Sequence, residues 1–394
     1  MREAVITGVG MTRFGKHRDR TIADLAGEAV AEALADAGLT GDTQSVAIVY
    51  FSNVLAGVLT GQESNRGQHA LRDTALRGVP LINVENACAS GATALNQAWL
   101  SVASGQAEVA VAVGAEKLHF DDKAKAAAAL TTALDQERLD EIRADLGSTG
   151  SGSVFMDIYA RFATDYMERS GATCEDFARV AVKNSQHGTA NPKAQYGRAL
   201  TVAEVLGARQ VSGPLTVPMC APMSDGAAAV VVMSRAAAQR LGASPVSLRA
   251  SVVGSGRPGA YGELVPDVAG RAFAAAGVDP AEVDVVECHD AAAPAELIVL
   301  EELGLCGPGA AVGLVRDEQT RIGGRLPVNP SGGLQSKGHP LGATGLAQIV
   351  ELTDQLRGRA GARQVPGARI ALAENAGGYL GPDAAVATVT ILSR

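Results

Sequence analysis

A chain of 394 residues is too long for one small core and predicts about two or three domains. Its formal charge of −8, with no basic run, excludes nucleic acid and an anionic membrane as partners. Five scattered cysteines, an odd number without paired spacing, exclude a disulfide framework and a zinc pattern, and they predict a reduced, cytoplasmic protein.

Hydrophobic residues, mostly Ala and Val, make up 47% and aromatics only 4%. That mix suits closely packed helices and parallel strands buried on both faces. Glu3 to Val9 reads as a first strand, entered from Met1 without a signal-peptide pattern. Thr21 caps a helix from Ile22 to about Ala37, which Gly38 stops. Gln44 to Asn53 is strand-like, and polar, Gly-rich residues follow to Gly78. Val79 to Asn83 then leads into Val84-Glu-Asn-Ala-Cys88-Ala-Ser-Gly91, followed by an uncharged helical stretch to Gln106 and a buried strand from Glu108 to Gly114. Alternating strands and helices of this kind imply an α/β core.

From about Leu118 to Arg209 the alternation stops, and charges, Gly and Ser increase. This stretch reads as an insertion over a site, with helices from Met156 to Ser170 and from Cys174 to His187. The core resumes at Pro222, and after Leu241-Gly-Ala-Ser-Pro the pattern begins again. Val246 to Gly254 is a strand, Val265 to Ala275 a helix stopped by Gly277, and Val283 to Cys288 a strand ending in His289-Asp290. Ala295 to Leu303 is helical. Asn329 to Gly345 carries His339 into an apolar helix ending at Leu356, and Ile370 to Ala373 and Ala384 to Leu392 are the last strands. No apolar span is long enough to cross a membrane.

The two halves share one order. Their first strands begin at Glu3 and Val246, and a turn of small residues in each carries Cys88 or His339 into an apolar helix. Both pairs are offset by similar distances, as a duplication requires. Two equivalent helices meeting at the centre would bring a thiol and an imidazole together.

Cys88 lies among small residues where a helix begins, and the free N–H groups there favour a thiolate, the nucleophilic form. Histidine is its usual base. His17, His69, His119 and His187 lie in polar surroundings and read as solvated surface residues. His289 and His339 adjoin predicted helix starts and, taken with Cys88, read as catalytic. The Gly377-Gly378 turn and the Cys88 N–H could form an oxyanion hole. Gly254-Ser-Gly256-Arg-Pro-Gly259 does not open a helix, so no nucleotide fingerprint is assigned. Cys174, Cys220, Cys288 and Cys306 read as structural, Cys288 pointing to the opposite strand face from His289.

Asn86-Ala-Cys88-Ala-Ser-Gly, His289-Asp290, Gly338-His339-Pro-Leu-Gly-Ala-Thr-Gly345 and Ser224-Asp225-Gly226-Ala-Ala together resemble the thiolase superfamily, from first strand to last. Val182 to Pro192 and the His289-Asp290 pair resemble the sterol-carrier-protein type of thiolase. The resemblance implies an α/β thiolase fold of two duplicated βαβαβαββ halves, 1–245 and 246–394, in five layers α-β-α-β-α, with an inserted loop domain at about 118–209. It implies a homodimer, coenzyme A thioesters as substrates, and no metal or permanently bound cofactor. Cys88 would carry the acyl group, His339 would activate it, His289 would bind the second substrate's thioester oxygen, and the N–H groups of Cys88 and Gly377 would hold the acyl-enzyme oxygen.

The sequence departs from that pattern where a second, acid/base cysteine is expected. Those positions are Asn375 and Ala291, with Ala292 replacing an aromatic. Asn375 could hydrogen-bond substrate, and Tyr379 is a substitute acid. Three readings follow: a thiolase-like acyltransferase; a retro-aldol lyase on a β-hydroxyacyl-CoA, paired with a small OB-fold acyl-CoA-binding protein; and a non-catalytic acyl-CoA-binding subunit.

Overall fold

The strands of the computed structural model are β1 (Ala4–Met11), β2 (Ile48–Ser52), β3 (Leu81–Val84), β4 (Val109–Glu116), β5 (Gln210–Ser212), β6 (Leu215–Thr216), β7 (Gly226–Ser234), β8 (Val246–Ser255), β9 (Val285–Glu287), β10 (Ile370–Gly377) and β11 (Val386–Ser393). The structure describes residues 2–40, 43–121, 123–147, 153–259, 261–381 and 383–394, the side chains of 123 and 124 excepted. Residues 122 and 148–152 of the expected insertion therefore lie outside the described residues.

Nine strands form one sheet in the order β3-β2-β4-β7-β1-β8-β11-β10-β9, and β5 and β6 pair separately. Read outward from the centre, β1-β7-β4-β2 and β8-β11-β10-β9 have the same directions. The first two contacts in each are antiparallel and the last is parallel. The duplication expected from the sequence is thus visible strand by strand. The halves join where β1 meets β8, through Val5–Ser247 and Ile6–Val246. β4 and β7 are buried along their whole length, which explains their runs of Val and Ala without polar alternation.

The helices Ser90–Ala103 and Leu341–Leu356 fill the space between the half-sheets. Leu95, Leu346 and Ile349 share a core with Ala110 and Val230 of one half and Val285 and Ala371 of the other. The helix Ile22–Asp36 covers the outer face of the first half with Leu25 and Val30 against Val111 and Val231. The helix Leu264–Ala276 covers the second with Val268 and Ala272 against Val389 and Ile391. These are the five layers α-β-α-β-α of a thiolase fold.

Glycine permits the central helices to cross closely. A Cβ on Gly345 would lie 2.5 Å from the Ala92 nitrogen, and one on Gly91 would lie 2.8 Å from the Gly342 oxygen. Both helix starts therefore face one place. The insertion contributes the helices Val154–Ser170 and Cys174–Thr189, whose Ala163, Tyr166 and Phe177 pack against Leu297 and Leu300 of the helix Ala293–Glu302. A segment of the first half thus covers the second.

Three expectations need correction. β2 begins at Ile48, not Gln44. The polar stretch after it holds short helices, Ala56–Thr60 and Arg66–Ala70. β10 continues to Gly377 instead of ending at Ala373, so Asn375 lies on a strand and not in a turn.

Candidate active site

Cys88 follows Ala87, whose φ of +48° is left-handed, a conformation uncommon for a residue with a Cβ. Local hydrogen bonds hold that turn: Asn86 N–H donates to Ser90 Oγ at 2.7 Å, and Ser90 Oγ–H donates to the Ala87 carbonyl at 2.6 Å. The chain leaves β3 and enters the helix at Ser90 within these few residues, leaving the sulfur on the turn between them.

His339 reaches the sulfur from the other half. Its Nε2 lies 3.3 Å from Cys88 Sγ, and its Nδ1 lies 2.7 Å from Thr344 Oγ1. The Thr344 hydroxyl donates its one proton to the Pro340 carbonyl at 3.0 Å. Toward the imidazole it can therefore only accept, which places the ring proton on Nδ1 and leaves the Nε2 lone pair facing the thiol. Behind the ring, His339 N–H donates to Ser224 Oγ at 2.9 Å, which itself donates to Gln195 Oε1 at 2.7 Å.

His289 completes the cluster. Its ring stands 5.1 Å from that of His339 at 70°. Cys88, His289 and His339 each present a donor atom within 4.8 Å of the others, a set that could hold a metal ion. The Cys88–His339 hydrogen bond equally suits an acid–base pair. The His289 backbone N–H donates to Glu374 Oε2 at 2.9 Å, and the ring Nε2 is buried without a partner. The adjacent Asp290 accepts from Asn184 Nδ2, Leu334 N–H and Gln335 Nε2 at 2.7–2.9 Å, tying the His289 turn to the insertion.

Burial sets the charge state. It pushes the Cys88 thiol up to about 12, and the Glu116 and Glu85 carboxylates add to this against the pull of the backbone N–H. The easier ionisation expected from the helix start is thus overridden. Burial also holds His339 well below its ordinary value, with His289 and Lys337 contributing, and lowers His289 to about 4. Burial raises Glu374 to about 7. Burial therefore favours the neutral S–H and the neutral imidazole at rest.

The other singled-out residues separate clearly. Gly377 touches the nucleophile's turn: a Cβ there would lie 2.6 Å from the Asn86 oxygen and 2.9 Å from the Cys88 nitrogen. Tyr379 lines the same cavity, half-buried. Asn375 does not line it; its amide donates to Gln348 Oε1 at 3.3 Å and its Oδ1 is buried without a partner. His187 is not a surface residue: it is buried between the Asn329 carbonyl at 2.9 Å and the Ile322 N–H at 3.3 Å, and burial lowers it to about 3. His119 is also largely covered, 3.1 Å from Asp225. Cys288 is buried, with Asn329 Nδ2 3.5 Å from its sulfur.

Thr344 and Glu374 were not singled out as site residues in the sequence, and neither was Tyr159. The Tyr159 ring lines the cavity, where burial and then the Cys88 sulfur raise its phenol. The three- and four-residue spacing of Phe155, Tyr159, Phe162 and Tyr166 was the available signal. The cavity measures about 560 Å³ and opens onto Cys88, His289 and His339.

Comparison with known proteins agrees with this architecture. The family profile "Thiolase, N-terminal domain" matches residues 4–202, and "Thiolase C-terminal domain-like" matches residues 228–394. The acetyl-CoA acetyltransferase of Methanothermobacter thermautotrophicus is 37% identical over 404 residues, covering 100% of both chains. Sterol carrier protein 2 of Gallus gallus is 38% identical over 391 residues, covering 95% of this chain and 70% of that protein. The benzoylsuccinyl-CoA thiolase subunit BbsB of Thauera aromatica is 37% identical over 387 residues, covering 96% and 95%. Among solved structures, the Ltp2-ChsH2(DUF35) aldolase superposes with a TM-score of 0.80 at 28% identity, covering 99% and 97%. Human mitochondrial 3-ketoacyl-CoA thiolase has the same fold, with a TM-score of 0.72 at 19% identity, covering 100% and 98%. A thiol and two imidazoles contributed by duplicated halves, with both family profiles spanning nearly the whole chain, make this protein a member of the thiolase family.

Proposed function

We propose that this chain transfers acyl groups between coenzyme A thioesters through a thioester on Cys88, in thiolytic cleavage of a 3-ketoacyl-CoA or the reverse Claisen condensation. The observation that carries this is the 3.3 Å contact from Cys88 Sγ to the His339 nitrogen whose lone pair Thr344 keeps free. As the sulfur attacks the thioester carbonyl of an acyl-CoA, or the 3-keto carbonyl of a 3-ketoacyl-CoA, the S–H proton passes to His339 Nε2. As the carbon–sulfur bond to coenzyme A breaks, or the C2–C3 bond of a 3-ketoacyl-CoA, that proton passes to the departing thiolate or to the C2 carbanion respectively, and the neutral imidazole returns. The Cys88 and Gly377 N–H groups hold the developing oxyanion, and His289 offers its ring to the second substrate's thioester oxygen. Coenzyme A serves as substrate, with no resident cofactor.

A second reading is a retro-aldol lyase. Cys88 is the only cysteine among the described residues that line the cavity, so a second thiol for α-carbon proton transfer is missing there. The chain also resembles the Ltp2-ChsH2(DUF35) aldolase. In that reading Tyr379 or His289 moves the proton, and a small OB-fold acyl-CoA-binding partner joins the chain. Asn375 retains only a supporting role through Gln348. We also take 1–245 and 246–394 as the two halves, with the insertion at about 118–209, and a homodimer as the working assembly.

Intact-mass spectrometry after incubation with acetyl-CoA tests the first reading. One acetyl adduct on the wild type and none on Cys88→Ala is expected. Absence of an adduct, together with β-hydroxyacyl-CoA cleavage that survives Cys88→Ala and falls in Tyr379→Phe, would favour the lyase.

A further inference from the structure

Two helices each lay one stripe along the cavity. On Val154–Ser170 the lining residues include Phe155, Tyr159, Phe162, Tyr166 and Arg169, spaced four and three apart in turn. At 1.5 Å per residue this stripe is about 21 Å long. On Ala293–Glu302 the stripe includes Ala295, Ile298, Val299 and Glu302, about 10 Å long. It begins a turn beyond His289. The space is therefore a channel, aromatic on one wall and aliphatic on the other, leading from the sulfur toward the surface.

The far end is polar, and all but one of its groups are engaged. The Tyr166 hydroxyl donates to Glu301 Oε1 at 2.5 Å, and Arg169 donates to Glu301 Oε2 at 2.9 Å. The Tyr261 hydroxyl donates to Asp165 at 3.3 Å, and Asp383 accepts the N–H groups of Glu263 and Leu264. Glu302 has no hydrogen bond to any described residue. It is half-buried, and burial, with the Glu374 and Asp383 carboxylates next, raises its carboxyl to about 8. A neutral carboxyl offers one donor and one acceptor, which a hydroxyl matches in both senses. The end is rich in carboxylates, and its cation Arg169 is held by Glu301, so the phosphates of coenzyme A would be repelled from it. The acyl part of a substrate would not.

Resting on the acyl transfer proposed above, we infer that the channel takes an elongated, mainly apolar acyl group whose far end carries a hydroxyl, and that Glu302 reads that hydroxyl. Calorimetric titration of the Cys88→Ala chain with dodecanoyl-CoA and with its terminally hydroxylated counterpart tests this. The readout is binding, so it stays interpretable if acyl transfer itself fails. The hydroxylated ester is expected to bind about tenfold tighter, the worth of one hydrogen bond. Adding Glu302→Leu should abolish the difference, and adding Glu302→Gln, which keeps a donor and an acceptor, should retain it. Equal binding of the two esters, or a preference that survives Glu302→Leu, overturns the inference. Should Glu302→Leu fail to fold, Glu302→Ala gives the same comparison.

Discussion

The Cys88 thiol sits just before a helix N-terminus that favours negative charge, yet burial and two carboxylates hold it at about 12. Burial holds His339 well below its ordinary value and lowers His289 to about 4. Neither Cys88 nor His289 titrates between about pH 5 and pH 9, and His339 lies well below its ordinary value. The rate of Cys88 acylation should therefore show no limb at the ordinary histidine or cysteine values, measured as rapid release of free coenzyme A. A bell with limbs near ordinary histidine and cysteine values would instead reveal a thiolate–imidazolium pair. Thr344→Val removes the acceptor for the Nδ1 proton and frees the ring to adopt the other tautomer. Acylation is expected to fall roughly a hundredfold, and Thr344→Ser should restore most of it; a rapid-quench comparison of the three chains measures this. Cys88, His289 and His339 were legible because their neighbours are small or mark helix starts. Thr344 was not, because a helical threonine ordinarily bonds only its own preceding turn. Asn375 was misplaced because strand continuation past Ala373 cannot be read from a Gly-rich stretch.

Among the elements, the two central helices bear most directly on the chemistry. Gly345→Ala would drive a methyl into the Ala92 backbone, and overpacking of this kind costs about 1–3 kcal/mol. Chemical denaturation should show that loss, with acylation slowed as well because the helix starts are pushed apart. Glu374 on β10 gives a pH signature. Its carboxyl is raised from 4.5 to about 7 on folding. Its contribution to stability is therefore full below about pH 4.5 and lost as pH rises through about 7. Scanning calorimetry should show the wild type losing stability relative to Glu374→Gln between about pH 5 and pH 8. The helices Ile22–Asp36 and Leu264–Ala276 were legible to within a residue or two. In the first, Thr21 and Asp24 make a reciprocal capping box, and both end in left-handed glycines, Gly38 and Gly277. The short helices after β2 were hidden because five residues are too few to show an apolar period.

For the whole molecule, the matching strand orders follow from the offsets already visible in the sequence, whereas the covering of one half by the other's insertion does not. Helix periodicity shows that a stripe exists but not which neighbour it meets. β3 ends the sheet as an edge strand with Ile82 49% exposed, the kind of edge that pairs with another chain. Ile82→Lys is expected to convert the proposed homodimer to monomer in sedimentation velocity, and an unchanged mass would place the interface elsewhere. Among the described residues no helix is long and apolar enough to cross a membrane. The sulfur and its base also belong to opposite halves, separated by 251 positions. During synthesis Cys88 must leave the ribosome long before its imidazole exists. Until the second half docks, the nascent polypeptide carries only an ordinary, unassisted thiol, and reactivity arises as a property of completed assembly.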